Sequence, residues 1–163
     1  MRNIVLIGMP SAGKSTLGVL LAKTLCMPFT DTDLVIQEKE NKLLQTIINE
    51  LGNEQFLKIE EAAILDCNFS NHVMATGGSV IYSDTAMNHL KKSGIVVYLK
   101  LDYVEIHRRL NNITTRGVAI AEGQTLKDLY NERVPLYEKY ADITLDCNGN
   151  SMEESVEALV ALL

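Results

Sequence analysis

Continuous apolar runs and helical apolar periodicities take turns along the chain. Residues Asn3-Ile4-Val5-Leu6-Ile7 form a short run of the length of a buried strand. Leu17, Leu20, Leu21 and Thr24/Leu25 then recur at i, i+3, i+4 and i+7, which predicts a helix with one side toward a core. Met27 to Asp31 reads as a short extended segment, carried by Thr32-Asp33 into the next helix. Further strands are expected at His72–Thr76, at Gly94–Leu101, the strongest of the set, and at Ala141–Asp146. Helical stretches are expected near 34–40, 43–67 with a break at Gly52, 82–92, 103–111 and 124–140. Met152, Val156, Leu159, Val160 and Leu163 give a closing helix on the same period. Such alternation predicts an α/β fold, a parallel five-stranded sheet with helices on both faces. With 163 residues and no repeat or linker, the chain is expected to form one domain, 1–163. Residues 112–123 keep no period between two helices, and an aperiodic loop of that length is a candidate lid.

The first strand and helix enclose Gly8-Met9-Pro10-Ser11-Ala12-Gly13-Lys14-Ser15-Thr16, which fits the phosphate-loop pattern G-x-x-x-x-G-K-[ST]. The glycines permit backbone geometry in which successive N–H groups face a phosphate, and the helix that follows adds its unpaired donors. Lys14 is placed to reach the β- and γ-phosphates of a nucleotide, and Ser15 to ligate Mg²⁺. A glycine-rich turn that binds nothing would not need the strand before it or the helix after it.

Composition narrows the partners. Apolar residues make up 47% and charged residues 22%, as in an ordinary globular protein. The net charge of −6 argues against a general nucleic-acid binder, so any basic site must be local. Cys26, Cys67 and Cys147 have no paired spacing and are expected to be buried free thiols in a reducing compartment. The N-terminal stretch lacks the features of a signal peptide, no run approaches a membrane span, and a cytoplasmic monomer is expected.

Three further groups of residues carry possible chemistry. Asp31 and Asp33, two apart in an extended segment, would face one side at the carboxyl end of the strand, where open α/β sheets bind ligands. One carboxylate can hold the water shell of a metal while the other receives the proton of an attacking hydroxyl; the alternative is a helix N-cap. The 72–76 strand lacks a terminal Asp for magnesium, which favours Asp31 for that charge. Thr76-Gly77-Gly78-Ser79 lets a ligand approach the main chain, or is a plain turn. Of five arginines, Arg2, Arg108, Arg109, Arg116 and Arg133, four lie around the candidate lid, and Arg108 reads as an ordinary surface residue.

Taken in order, these residues resemble the shikimate kinase family nearly end to end. The matching marks are Gly8–Thr16, Asp31-Thr32-Asp33, Ala75-Thr76-Gly77-Gly78, Arg116 in the lid, and Arg133-Val134-Pro135-Leu136-Tyr137-Glu138 with Ala141-Asp142 close behind. The resemblance implies a P-loop kinase fold with a lid, an acceptor-binding region at about 32–70, and transfer of phosphate from ATP to the 3-hydroxyl of shikimate. By similarity, Lys14 and Arg116 stabilise the transferring phosphoryl group, Ser15 and Asp31 organise Mg²⁺, and Asp33 binds the acceptor's hydroxyls as base or orienter. The loop residues Ser11, Ala12, Gly13, Lys14, Ser15 and Thr16 hold the phosphates. Gly77 and Gly78 contact the ring, with Ser79 beside them, and Arg133 holds the carboxylate. Arg109 falls where the family packs an arginine on adenine, and Cys147-Asn148-Gly149-Asn150 where it closes over the other adenine face.

Three positions depart from the family pattern. Leu57 stands where the family has an arginine for the shikimate carboxylate, and Glu60 thereby loses its usual neighbour. Lys58 lies about 100° around the helix from that position. Ser79 replaces a third glycine, where it would crowd the ring or add a hydrogen bond. Arg116-Gly117-Val118 replaces Arg-Pro followed by two leucines, which predicts a looser hinge. Leu57 leaves open a related kinase for another polyol or hydroxy acid, and a nucleotide-binding pseudoenzyme is the reading from outside the enzymes. Residues 34–70 contain no Arg, against a nucleoside monophosphate kinase, which needs several for a second phosphate.

Overall fold

The computed structural model of the protein describes residues 2–110 and 117–163. The chain runs β1 (Asn3–Ile7), α1 (Lys14–Leu25), β2 (Phe29–Asp31), α2 (Thr32–Glu40), α3 (Leu44–Asp66) and β3 (Val73–Ala75). After a 3-10 turn at Val80–Tyr82 come α4 (Asp84–Ser93), β4 (Gly94–Lys100), α5 (Tyr103–Arg109), α6 (Leu126–Tyr140), β5 (Ile143–Asp146) and α7 (Met152–Leu162). The five strands form one parallel sheet in the order β2-β3-β1-β4-β5. All five residues of β1 are buried, as a central strand covered on both faces requires. Pairing of Leu6 with both Ala75 and Val97 brings the carboxyl ends of β1, β3 and β4 together. The chain turns from one flank of the sheet to the other across β1, so the phosphate loop sits at the switch point, where ligands bind in such sheets.

The main core lies under and over the sheet, with Leu17 and Leu21 of α1 and Val156 and Leu159 of α7 reaching it from the helices. Thr24, and the last two residues of the predicted α7 stripe, Val160 and Leu163, face outward instead. A second, smaller core of Ile36, Leu44, Ile47, Ile48, Phe56 and Ala63 lies between α2 and α3, and Ala119 reaches into it. The expected break at Gly52 is present: its φ of 81° and ψ of 167° interrupt α3 and turn the helix around this minor core.

Two local expectations are corrected. Asp31-Thr32-Asp33 is not a continuing extended segment, because α2 begins at Thr32 and Asp31 is its N-cap, accepting from the Asp33 amide at 3.0 Å. Cys26 is exposed, since it ends α1 in a left-handed conformation at φ 54°, whereas Cys67 and Cys147 are buried thiols. Of the candidate lid, residues 117–123 are described; the remainder, Arg116 included, lies outside the described residues. Among the described residues no helix is long and apolar enough to cross a membrane.

Candidate active site

The turn between β1 and α1 is held by the Ala12 amide, which donates to Met9 O at 3.1 Å, and by left-handed Ser11 and Gly13. No side chain among the described residues caps α1, so its first amides stay available to an anion. Lys14 is buried and donates to Gly8 O at 2.7 Å and Met9 O at 2.8 Å. Burial pushes its ammonium down to about 8, against Asp33, Asp31 and Glu60, whose charges raise it. Ser15 and Thr16 are exposed at the mouth of the loop, and Ser15 Oγ donates to Asp31 Oδ2 at 2.5 Å.

Asp31 thus uses one oxygen to cap α2 and the other to meet the phosphate loop. Its serine partner and its carboxylate form a pair of hard oxygen donors beside a phosphate cradle. That donor set suits Mg²⁺, which takes one or two protein oxygens and completes its shell with phosphate and water.

A cavity of about 260 Å³ opens from the phosphate loop, with Asp33, Glu60, the twin glycines, the 117–119 backbone and Arg133 on its far wall. Asp33 enters from the first turn of α2, where burial, seconded by the Asp31 charge, raises its carboxyl to about 6 although Lys14 opposes the rise. Arg133 is 1% exposed. Its Nη2 donates to Ala119 O at 2.8 Å, its Nε to Tyr82 Oη at 3.3 Å, and its plane lies over the Tyr82 ring. A methyl group on Gly78 would sit 2.9 Å from Arg133 Nη1, and one on Gly77 would sit 2.8 Å from Asp33 Oδ1. The two glycines therefore leave open the space onto which Asp33 and Arg133 converge.

Several sequence-assigned residues lie elsewhere. Leu57 does not line this cavity; it lines a neighbouring hollow on the other side of Glu60 and Ser79. Ser79 turns its hydroxyl to Glu60 Oε1 at 2.8 Å instead of into the ring space. Asn150 is exposed and donates to Asp146 O at 3.2 Å, while the residue at the edge of the loop is Met152, whose Cε lies 2.5 Å from a methyl placed on Gly13. Arg109 lies beside the phosphate loop, with Nη1 donating to Ser11 O at 3.3 Å and Nε to Glu105 at 2.6 Å. Arg108 pairs with Glu105 at the surface, as an ordinary arginine does. At φ 65° Gly117 lies against Leu44, where a methyl would meet Leu44 Cβ at 2.6 Å, so proline has no place there.

Two residues were missed. Tyr137, one helical turn beyond Arg133, is fully buried and donates to Gly78 O at 2.6 Å, which fixes the twin-glycine turn. Glu60 is 2% exposed and lines the cavity, and burial raises its carboxyl to about 7, although the Ser79 hydrogen bond opposes this. The signal for Glu60 was its place four residues after Phe56, on the buried side of α3.

A sequence model described as "Shikimate kinase" matches residues 10–163. A shikimate kinase of Thermodesulfovibrio yellowstonii is 37% identical over 163 residues, 98% of this chain and 94% of that protein. Threonine synthase-like 1 of Homo sapiens is 36% identical over 157 residues, which are 95% of this chain and 21% of that larger protein. Among solved structures, shikimate kinase from Acinetobacter baumannii in complex with shikimate superposes with a TM-score of 0.92 at 30% identity, covering 99% of this chain and 92% of that one. Phosphate loop, capping Asp31, convergent Asp33 and Arg133, and similarity to shikimate kinases along nearly the whole chain agree: the chain belongs to the shikimate kinase family.

Proposed function

We propose that residues 1–163 form one kinase domain that transfers the γ-phosphoryl group of ATP to the 3-hydroxyl of shikimate. The observation that carries this reading is the convergence of Asp33 and Arg133 on Gly77-Gly78, at the mouth of the phosphate loop. Arg133 is a buried cation whose planar fork suits a carboxylate. Asp33 faces the same space with a carboxyl raised toward the working range of a general base, fit to orient a hydroxyl and receive its proton. Lys14 and the α1 amides hold the phosphates, with Arg116 as the second cation on the transferring group. Ser15 and Asp31 would hold Mg²⁺, which neutralises phosphate charge when bound. Arg109, beside Ser11 of the phosphate loop, flanks the nucleotide's base.

The test is ADP release with Mg-ATP and shikimate, run beside a Leu57→Arg variant. Turnover is expected in both. The added cation near Glu60 is worth about 1.5–3 kcal/mol if it reaches the carboxylate, which lowers the shikimate KM by about one to two decades. No turnover in either protein, with ATP still bound, overturns shikimate as acceptor. Asp33→Asn should abolish transfer and spare ATP binding; unchanged turnover would remove its assigned role.

A further inference from the structure

Arg133 is the cation on the far wall of the cavity, and among the described residues the other cation in its lining is Lys14, held at Gly8 O and Met9 O. An acid group on a ligand bound away from the phosphate loop therefore depends on how Arg133 presents its donors. A guanidinium carries five N–H bonds in one plane, so two anchored nitrogens and one stacked face fix where the rest point. Nη2 is tied to Ala119 O, while Nε and the face of the plane both meet one residue, Tyr82. Nη1 is left beside Gly78, where a methyl would come within 2.9 Å of it.

Tyr82 is itself held. It is half-buried in the 3-10 turn that follows the twin glycines, and its hydroxyl donates to Glu132 Oε1. A phenol has one proton, and with that proton on Glu132 the lone pairs of Oη are turned to Arg133 Nε at 3.3 Å. Burial, followed by the hydrogen bond to Glu132, raises the phenol above its ordinary range against the Arg133 charge, so it keeps that proton. The other oxygen of Glu132 accepts from Gln124 Nε2 at 3.1 Å, and Gln124 Oε1 accepts from the Ala121 amide at 3.2 Å. Glu132 and Arg133 are neighbours along α6 that point about 100° apart, and Tyr82, from another element, joins them. Tyr82 does not line the cavity; it lines the neighbouring hollow with Leu57, so its effect on a ligand passes through Arg133.

We propose that Tyr82, backed by Glu132, is a positioning residue for Arg133: it fixes the plane of the guanidinium so that Nη1 meets a carboxylate of the phosphoryl acceptor beside Gly78. The inference rests on the reading that Arg133 holds the acceptor's carboxylate.

Steady-state kinetics with Mg-ATP test it, run with shikimate and with its methyl ester, which keeps the hydroxyls and lacks the charge. The quantity measured is the ratio of the two kcat/KM values. In the unmodified protein it should favour the acid about tenfold or more, the effect of one charge-assisted hydrogen bond. Tyr82→Phe keeps the ring under the guanidinium and removes the acceptor for Nε. The ratio should then fall about fivefold through a higher shikimate KM, with the ester's kcat/KM and the KM for ATP within about twofold. Tyr82→Leu removes the ring as well and should lower the ratio further. Glu132→Gln keeps an oxygen for the phenol and should leave the ratio within about twofold of the unmodified protein. An unchanged ratio in Tyr82→Phe overturns the proposal, as does an equal loss with acid and ester, which is what a structural clasp between turn and helix produces. Equal use of acid and ester by the unmodified protein removes the carboxylate role of Arg133, and the proposal with it. If the unmodified protein binds ATP but does not phosphorylate shikimate, the acceptor assignment fails by itself. The same comparison is then required with the acid and ester of whichever hydroxy acid supports turnover, and a screen that finds none overturns both.

Discussion

Glu60→Gln makes a prediction in the unliganded protein, where no assumption about the acceptor enters. An ordinary glutamate titrates at 4.5, and in this fold burial, the first cause, raises Glu60 to about 7. Between those values the folded state holds a proton that the unfolded chain releases. The folded state then binds more protons, so stability falls as pH rises from 4.5 through about 7 and stays reduced above it. At about 1.4 kcal/mol per pH unit, the ionised carboxylate costs about 3 kcal/mol at pH 8, and under about 1 kcal/mol at pH 5. Glutamine keeps an oxygen for the Ser79 hydroxyl and carries no charge at any of these values. For a chain of this size each kcal/mol moves Tm by about 2–4 °C, so the variant should melt about 6–12 °C above the unmodified protein at pH 8. At pH 5 the gap should shrink to about 3 °C or less. Lys14 and Asp33 titrate in both proteins but are coupled to Glu60, so the reading is the slope of the Tm difference with pH. The assay is thermal unfolding without nucleotide at constant ionic strength, from pH 5 to 8.5. A Tm difference that is flat across that range would refute the reasoning, because a pairing or packing effect carries no such slope.

Three other substitutions separate roles that the structure superimposes. Asp31→Asn keeps a good N-cap, so stability should change by less than about 0.5 kcal/mol while magnesium-dependent turnover falls; turnover that survives would confine Asp31 to capping. Tyr137→Phe keeps the stacking on Tyr98 but strips Gly78 O of its donor, and should cost about 1–3 kcal/mol in urea unfolding with a larger rise in acceptor KM than in ATP KM. Gly117→Ala forces a side chain into a left-handed position against Leu44 and should cost about 1–2 kcal/mol, read as faster proteolytic nicking of the loop; cleavage at the original rate would mean that the contact is not needed.

What was legible in the sequence was what depends on neighbours along the chain. The phosphate loop needs only its own nine residues, the strand before them and the helix after them, and the three inner strands, β1, β3 and β4, announce themselves by apolar runs. The break of α3 could be read from one glycine. What escaped depends on contacts between distant segments. The pitch of Asp31-Thr32-Asp33 turns on a helix starting two residues earlier than its apolar pattern, because the cap is supplied by the very carboxylate assigned to the metal. Gly117 in place of proline could not be explained from the sequence: its positive φ and the nearness of Leu44 are what exclude proline there. Ser79 looked like an intruder in the ring space until Glu60, 19 residues away on another element, was seen to hold it.

The placement of Glu60 also explains why the minor core is built as it is. Residues of α2 and α3 bury Ile36, Ile47 and Phe56 together, which anchors the segment that carries Asp33 and Glu60 on its two helices. Ala119 packs into that core while its carbonyl accepts from Arg133, and Asn53 donates to the neighbouring Ile120 O at 2.8 Å. The same few contacts thus tie both carboxylates, the buried arginine and the far side of the loop into one unit. Apolar packing there offsets the cost of Asp33 Oδ1 and Glu60 Oε2, which have no hydrogen-bond partner among the described residues. Buried carboxylate oxygens without partners do nothing to hold that unit together, so it has to be made rigid by other contacts. In this protein that support is the α2–α3 core, and loosening it with Phe56→Ala should weaken acceptor binding, without any contact to the acceptor, while ATP binding at the phosphate loop is retained.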